Sequence, residues 1–185
     1  AIQNVLSGST TKMYVATGHS EVALPDTLTK AFAKMNVETA DLELLTAEKI
    51  PDDCNILMIN GPTSDLADNE KKIVLDYLKA GGNAIINLSY TTEKMTNLEE
   101  VLEYYGIQSK QGIICETSGK YYYYPNFIVP ELGTDASEML GDLQGYIIMP
   151  NAVGMNVMSE IRSSLTMKQL LKTSDSSYLK VDPSS

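Results

Sequence analysis

The segment from Ile50 to Leu88 most limits what this chain can fold into, because it places two apolar strands around one amphipathic helix. Strands are predicted at Asn55–Ile59 and Asn83–Leu88. Continuous apolar runs of this length are typical of parallel strands that are buried on both faces. Between them, Asp68–Ala80 has acidic residues early, an apolar stripe and a Gly81-Gly82 stop, which together predict a helix. A strand–helix–strand unit of this kind predicts a parallel sheet.

The same alternation precedes and follows that segment. Strands are predicted at Lys12–Thr17 and Val37–Leu42, and a capping box at Thr96–Glu99 opens a helix that Gly106 closes. Between the first two strands, Asp26 is the predicted cap of a helix whose apolar face consists of Leu28, Ala31, Phe32 and Met35. The order β-α-β-β-α-β-α predicts an α/β fold with helices on both faces of a mostly parallel sheet. We therefore expect a three-layer α/β/α, flavodoxin- or Rossmann-like architecture.

Beyond Gly106 the helical periodicity weakens and predicts a β-rich C-terminal half. Short β-like runs separated by Gly, Pro and Asn occur at Ile107–Thr117, Tyr121–Val129, Gly145–Met149 and Val153–Ser159. No repeat or linker interrupts the chain. We predict one α/β domain over residues 12–180, a polar leader compatible with disorder over residues 1–11, and a tail over residues 181–185.

Composition and charge exclude several classes of function. The 185 residues include 14 Lys and Arg against 24 Asp and Glu, a net charge of -10. Because phosphate neutralisation needs clustered cations, nucleic acid is excluded as a partner. No run is long and apolar enough for a membrane-spanning helix. The start, AIQNVLSGSTTK, lacks the features of a signal peptide. We expect a processed or excised piece of a longer protein.

The carboxyl ends of the predicted strands are the expected place for a site, since ligands of open parallel sheets bind there. The candidate residues at these ends are His19, Glu21, Asn60, Ser89 and Tyr90. His19, the only histidine, has three interpretations. It hydrogen-bonds the first β-α loop with Glu21, it contacts a ligand, or it acts as a base for Ser20 or Ser89. The G-x-S-x-G elbow of many hydrolases is missing from the sequence.

The run Tyr121–Tyr124 is the most unusual local feature. In a strand, Tyr121 and Tyr123 would face one way and Tyr122 and Tyr124 the other. One interpretation is a stacking surface for a sugar or a partner protein, for which Tyr122 and Tyr123 are the candidates. The alternative places one pair in the core and uses the other to cover a sheet edge.

No cofactor or metal site is predicted. Gly81-Gly82 ends a helix and so cannot cradle a phosphate at a helix start. Cys54 and Cys115 have no zinc-ligand spacing, and two buried free thiols are the favoured interpretation, with a disulfide or a reactive thiol as alternatives.

These landmarks resemble a known family. The segments KMYVATGHSE, IPDDCNILMINGPTSDLADNEKKIVLDYLKAGGNAIINLSY, NLEEVLEYYGI, YYYYPNFIVPEL and LLKTSDSSYLK resemble the extracytoplasmic domain of GldG-like, gliding-motility-type auxiliary proteins of ABC transporters. The resemblance covers roughly residues 12–180. It implies a fold similar to class I glutamine amidotransferases and related to a domain of intraflagellar transport proteins.

The resemblance also implies a function. Near the expected position of the amidotransferase nucleophile the chain has Ser89 and Tyr90 but no cysteine, and no second histidine follows. We therefore expect a non-enzymatic binding or docking domain without catalytic residues. Its partners would be permease and ATPase subunits, with a glycan or peptide as a further ligand. It would lie on the extracytoplasmic face of a bacterial membrane, anchored by segments outside this chain. A hydrolase or amidotransferase-like enzyme and a purely structural scaffold are the alternatives.

Overall fold

The computed structural model describes residues 10–136, 141 and 145–183, so most of the predicted leader and the end of the predicted tail lie outside the described residues. The described chain forms two compact units. The first comprises residues 10–88 and 93–101, and the second comprises residues 89–92 and those from 102 onward. A single domain over residues 12–180 remains a prediction, because compactness does not test whether the units fold separately.

The first unit contains a four-stranded sheet in the order β2-β1-β3-β4, with all neighbouring strands parallel. This confirms the predicted α/β class and parallel pairing. The strands are β1 (Thr11–Thr17), β2 (Val37–Glu43), β3 (Ile56–Asn60) and β4 (Asn83–Asn87), and the helices are α1 (Asp26–Lys34), α2 (Asp68–Lys79) and the start of α3 (Thr96–Tyr104), with a 3-10 turn at Leu44–Thr46.

The central strand β3 explains how the core is arranged. Its side chains alternate between two apolar clusters, with Leu57 in one and Met58 in the other. Phe32 of α1 packs against the Met58 cluster, whereas Val74 of α2 is fully buried in the Leu57 cluster. A continuous apolar strand is therefore buried on both faces here, as predicted. Three helices do not by themselves establish a three-layer, flavodoxin-like arrangement.

The prediction that β4 is buried in the same way is wrong. Burial alternates along the strand, and Ile85 is 41% exposed. The reason is the strand order, which leaves β4 at the edge of the sheet and paired only with β3.

The structure corrects the sequence prediction at one helix start and adds a contact at another. Asp26 is not the cap of α1 but its first residue, because Pro25 occupies the capping position in an extended conformation. At α3, the backbone N–H groups of Asn97 and Leu98 donate to the carboxylate of Asp65, at 2.8 and 3.0 Å. A side chain from a distant segment therefore satisfies N–H groups that the helix itself leaves unpaired.

The second unit is built from short antiparallel sheets, which confirms the β-rich C-terminal half. One sheet has the order β11-β5-β9, and two further pairs are β7–β10 and β6–β8. The strands are β5 (Ile107–Glu116), β6 (Phe127–Ile128), β7 (Glu131–Leu132), β8 (Met149–Pro150), β9 (Val153–Val157), β10 (Leu171–Lys172) and β11 (Ser177–Lys180).

Two predicted strands of this half are much shorter in the structure. The run Tyr121–Val129 forms a strand only at Phe127–Ile128, with one bridge from Tyr121 to Ile128. The run Gly145–Met149 becomes a strand only from Met149. Proline explains the first case, because Pro125 lacks the N–H that a continuing ladder would use.

Candidate functional site

The sheet of the first unit has its topological switch point between β1 and β3. The chain leaves β1 toward β2 on one side, and β3 and β4 lie on the other side. In open α/β sheets the crevice beyond such a point is the usual ligand site. His19 and Glu21 follow β1, and Asn60 ends β3, so three of the predicted site residues lie at this position.

His19 is buried there between two carboxylates. Its Nδ1 lies 3.1 Å from Glu21 Oε1, and its Nε2 lies 2.9 Å from Glu70 Oε2. The side chains of His19 and Glu21 are each 7% exposed, and that of Glu70 is 1% exposed. The two contacts are hydrogen bonds at the same time when both ring nitrogens carry a proton, as they do in the imidazolium form. We call these three residues the acid–histidine–acid cluster.

Backbone hydrogen bonds hold the cluster in place. The N–H groups of Thr63 and Ser64 donate to the carbonyl oxygen of His19 at 3.0 and 3.2 Å. The N–H of His19 donates to Glu21 Oε2 at 2.8 Å, and the N–H of Ala67 donates to Glu70 Oε2 at 2.6 Å. The β1–α1 loop, the β3–α2 loop and the first turn of α2 are therefore joined at the switch point.

Asn60 is also used within the unit. Its backbone carbonyl accepts from Val22 N–H at 2.8 Å, and its side-chain oxygen accepts from Asn87 Nδ2 at 2.8 Å. The polar atoms that were expected to meet a ligand at the ends of β1 and β3 thus bind one another. This geometry agrees with the interpretation in which His19 and Glu21 hydrogen-bond the first loop. Ligand contact by His19, Glu21 or Asn60 remains a prediction.

Glu70 is the member of the cluster that sequence reasoning missed. In the sequence it is simply one of the acidic residues early in a predicted helix, where a carboxylate interacts favourably with the helix dipole. Its Oε1 has no hydrogen-bond partner in the part of the chain that the structure describes. A glutamate three residues after the capping residue of a helix is the signal that could have drawn attention to it, since such a side chain often folds back onto the cap.

The serine–histidine alternative has less geometric support. Both ring nitrogens of His19 contact carboxylates rather than a serine hydroxyl. Ser20 itself has a φ of 58°, a left-handed conformation within the loop. A nucleophile–base pair needs a hydrogen bond between the two groups, and the described contacts of this histidine do not include one.

Ser89 and Tyr90 follow β4 in sequence but belong to the second unit. The hydroxyl of Tyr90 donates to the carbonyl oxygen of Val181 at 3.1 Å, and Ser89 is half-buried. The structure thus brings His19, Glu21 and Asn60 together, whereas these two candidates are part of another compact unit. Their contact with a ligand remains a prediction.

Tyr121–Tyr124, which we call the tyrosine turn, does not form the alternating strand that the sequence predicts. The residues do not alternate across a strand, because Tyr122 N–H donates to Phe127 O and Phe127 N–H donates to Tyr124 O, which closes a turn. The residues are 37%, 51%, 78% and 61% exposed in chain order, so neither pair is part of the core. Tyr123 has a φ of 66°, an unusual conformation for a bulky residue. The rings of Tyr122 and Tyr123 are 4.7 Å apart and nearly perpendicular.

A buried carboxylate anchors the base of this turn. Glu116 ends β5, and its N–H donates to Pro125 O at 2.9 Å. Its carboxylate accepts from the Ser174 hydroxyl at 2.5 Å and from the N–H groups of Thr117 and Ser118 at 2.7 and 2.9 Å. Burial opposes ionisation, but these hydrogen bonds outweigh it and hold the pKa of Glu116 below its ordinary value. The tyrosine turn therefore extends from a fixed base.

The two cysteines are the remaining candidates for chemistry. Cys54 and Cys115 are free thiols, half-buried and buried respectively. The Cys54 Sγ lies 3.5 Å from the Tyr77 hydroxyl, and burial together with this contact raises the pKa of Tyr77 to about 12.

Among the described residues, no group of three or more His, Cys, Asp and Glu side chains is placed to hold a metal ion. None of the described helices is long and apolar enough to cross a membrane.

Comparisons with known proteins place this geometry in context. The model of a protein family described as "ABC-type uncharacterized transport system" matches residues 10–126, more than half of the chain and a range that includes the tyrosine turn. Among solved structures, the "mmIFT52 N-terminal domain" is similar with a TM-score of 0.67 and 15% sequence identity, over 91% of this chain and 75% of that one. At this identity the likeness concerns the fold alone. No curated protein gives a significant match.

Proposed function

The chain belongs to the ABC transporter auxiliary family, and from that premise we propose that it is a non-enzymatic docking domain that binds a partner subunit of its transport system through the tyrosine turn. The observation that carries the proposal is the exposure of Tyr122, Tyr123 and Tyr124 on a turn whose base is fixed by Glu116. Tyrosine offers a large apolar area at a small entropic cost, and it is enriched among the residues that dominate protein interfaces.

The arrangement of the rings favours a protein partner over a sugar. A sugar stacks best on one flat aromatic face, whereas the rings of Tyr122 and Tyr123 meet at 89°. Two perpendicular rings present a projecting, angular surface, which complements a pocket on another protein. Because the turn is preformed, little conformational entropy is lost on binding.

The non-enzymatic part of the proposal is supported by the first unit. The crevice where a parallel sheet usually binds its substrate is occupied by the acid–histidine–acid cluster and its backbone hydrogen bonds. A histidine with both nitrogens engaged by carboxylates is poorly placed to take a proton from a serine. In this proposal the cluster has a structural role, and the second unit supplies the binding surface.

The finer family relationship belongs to the same proposal. We place the chain with GldG-like, gliding-motility-type proteins, with a three-layer fold similar to class I glutamine amidotransferases. The support is the block from Ile50 to Leu88 together with the Thr-Gly-His-Ser-Glu turn after β1. Docking would then occur on the extracytoplasmic face of the membrane, with the anchor in segments outside this chain.

The proposal is tested by purifying the full-length protein with its permease and ATPase subunits. The double variant Tyr122→Ala and Tyr123→Ala is expected to lose the complex, because both projecting rings are removed. Tyr146→Ala is the matched control, since Tyr146 is an 86% exposed tyrosine of the same unit outside the turn. This variant should co-purify like the unaltered protein.

Two results would contradict docking through the turn. One is a complex that survives loss of both tyrosines. The other is saturable binding of an isolated glycan or peptide that depends on Tyr122 and Tyr123 while the transporter subunits never co-purify, which would make the turn a ligand site.

A further inference from the structure

The second unit contains a large cleft that the docking function does not use. Its volume is about 1020 Å³, just above the range of roughly 300–1,000 Å³ typical of small-molecule sites. The cleft is lined by residues of β5, β9 and β11 and by the segments around β7, β8 and β10. All of these residues belong to one compact unit.

Much of the lining is aliphatic and adaptable. Ile114 and Leu171 contribute branched side chains, and Met149, Met155 and Met167 contribute three methionines. Methionine is unbranched and polarisable, so a cleft rich in it accommodates flexible apolar ligands of variable shape. Met155 is 56% exposed, so its side chain is accessible to a ligand from solvent.

The charges of the cleft are opposite to those of the chain as a whole. Residues 102–185 contain six Lys and Arg and nine Asp and Glu. Lys110, Lys168 and Lys172 are among the described residues that line the cleft, whereas Asp135 is the one acidic residue among them. The carboxylate of Asp135 accepts from Gln169 N–H at 3.1 Å. Half of the cations of this segment thus gather around an apolar cavity.

The partners of two lysines leave their charge available for a ligand. Lys110 Nζ donates to the neutral amide oxygen of Gln108 at 3.0 Å. Lys172 Nζ is 3.8 Å from Glu131, a carboxylate that Lys120 contacts more closely. The first contact leaves the charge of Lys110 unneutralised, and the second is a long ion pair with a carboxylate that two lysines share.

We propose that this cleft binds a long-chain aliphatic carboxylate, a free fatty acid. The acyl chain would lie against the methionines and aliphatic side chains, and the carboxylate would pair with the lysines. Charge complementarity selects the anionic head group, and the apolar lining selects the tail. The inference concerns a different surface from the tyrosine turn and does not rest on the docking function.

The test is calorimetric titration of the full chain with hexadecanoate below its aggregation concentration. We expect saturable one-to-one binding, with hexadecan-1-ol about tenfold weaker because it lacks the charge-assisted contact. Hexadecyltrimethylammonium, which carries the opposite charge, should bind more weakly still. Equal binding of the alcohol and the carboxylate would overturn the proposal, and so would the absence of hexadecanoate binding.

Two variants locate the site. At Gly154, which lines the cleft, a Cβ would lie 3.4 Å from Lys110 Cβ and 3.7 Å from Ile114 Cδ1, so the backbone accepts a side chain without a clash. Gly154→Leu should therefore fill part of the cleft and weaken binding about tenfold or more. The triple change Lys110→Gln, Lys168→Gln and Lys172→Gln leaves the cleft open and should remove the preference for the carboxylate over the alcohol.

A control variant shows whether changes in hexadecanoate binding are specific to the cleft. Lys72→Gln changes an exposed lysine of the first unit and should leave binding unchanged. If hexadecanoate binds Gly154→Leu and the triple variant as tightly as it binds the unaltered chain, the fatty acid site lies elsewhere and the proposal is wrong. Because the triple variant alters charges without adding bulk, it remains informative even if Gly154→Leu does not fold.

Discussion

The two compact units differ in how they use their polar and aromatic residues. In the first unit, His19 hydrogen-bonds Glu21 and Glu70 at the switch point of a parallel sheet, and Asn60 pairs with Asn87 beside them. In the second unit, the sheets are short and antiparallel, and four adjacent tyrosines extend into solvent. In the first unit, the polar atoms at the switch point, where parallel sheets usually bind ligands, mostly pair with one another. The second unit, with its short antiparallel sheets, has the exposed aromatic surface. If docking occurs through the tyrosine turn as proposed, site prediction from fold type alone would choose the wrong unit.

The largest expected effect comes from breaking the acid–histidine–acid cluster. His19→Ala leaves two buried carboxylates without the hydrogen-bond partner that they share, and leaving a buried polar group unsatisfied costs about 1–3 kcal/mol of unfolding free energy, more when the group is charged. Urea denaturation, monitored by far-UV circular dichroism, measures this loss of unfolding free energy. Lys72→Ala, which breaks an exposed ion pair with Asp76 on α2, should change the midpoint little. Equal midpoints for the two variants would mean that the first unit does not depend on the cluster.

A smaller effect is expected at the start of α3. Asp65→Ala removes the acceptor for two backbone N–H groups, so we expect a loss of about 1–2 kcal/mol, the usual cost of deleting a helix cap. Thr96→Ala is the matched comparison, because Thr96 is the cap that the sequence pattern predicts. Thermal denaturation should show the larger loss for Asp65→Ala. The opposite ranking would return the capping role to the local motif.

The smallest expected effect is the pH dependence of the stability of the second unit. The pKa of Glu116 is lower in the folded chain than its ordinary value of 4.5, so the folded state favours the ionised form. Its stabilisation is present above pH 4.5 and is lost as the pH falls through the folded-state pKa. Glu116→Gln should flatten the acid side of the stability profile, measured by urea denaturation between pH 6 and the acid limit of folding. An unchanged acid slope in this variant would show that Glu116 is not the group responsible.

The parts of the fold that could be predicted are those encoded locally. The strand β3 follows from a continuous apolar run, and α2 follows from early acids, an apolar stripe and a glycine stop. The exposure of Ile85 could not be predicted, because it depends on which strand ends the sheet. The pairing of His19 with Glu70 joins residues 51 positions apart, and no local pattern indicates it.

The tyrosine turn shows a different limit. Tyrosine has a high strand propensity, so the run Tyr121–Tyr124 predicts a strand on composition alone. Strand propensity reports how well a side chain fits a half-buried pleated surface, and among the described residues only Tyr121 of these four pairs with a strand, through its single bridge to Ile128. The left-handed conformation of Tyr123 and the proline after the turn decide the outcome instead.

The most direct test of the comparison is the dissociation constant between the full-length protein and its purified permease–ATPase complex, measured for two variants side by side. The double variant Tyr122→Ala and Tyr123→Ala should bind at least about tenfold more weakly, as expected when interface anchors are truncated. Glu21→Gln, which alters the switch point of the first unit conservatively, should bind like the unaltered protein. Weakened binding by Glu21→Gln with full binding by the tyrosine variant would contradict the account and place docking at the ends of the parallel strands.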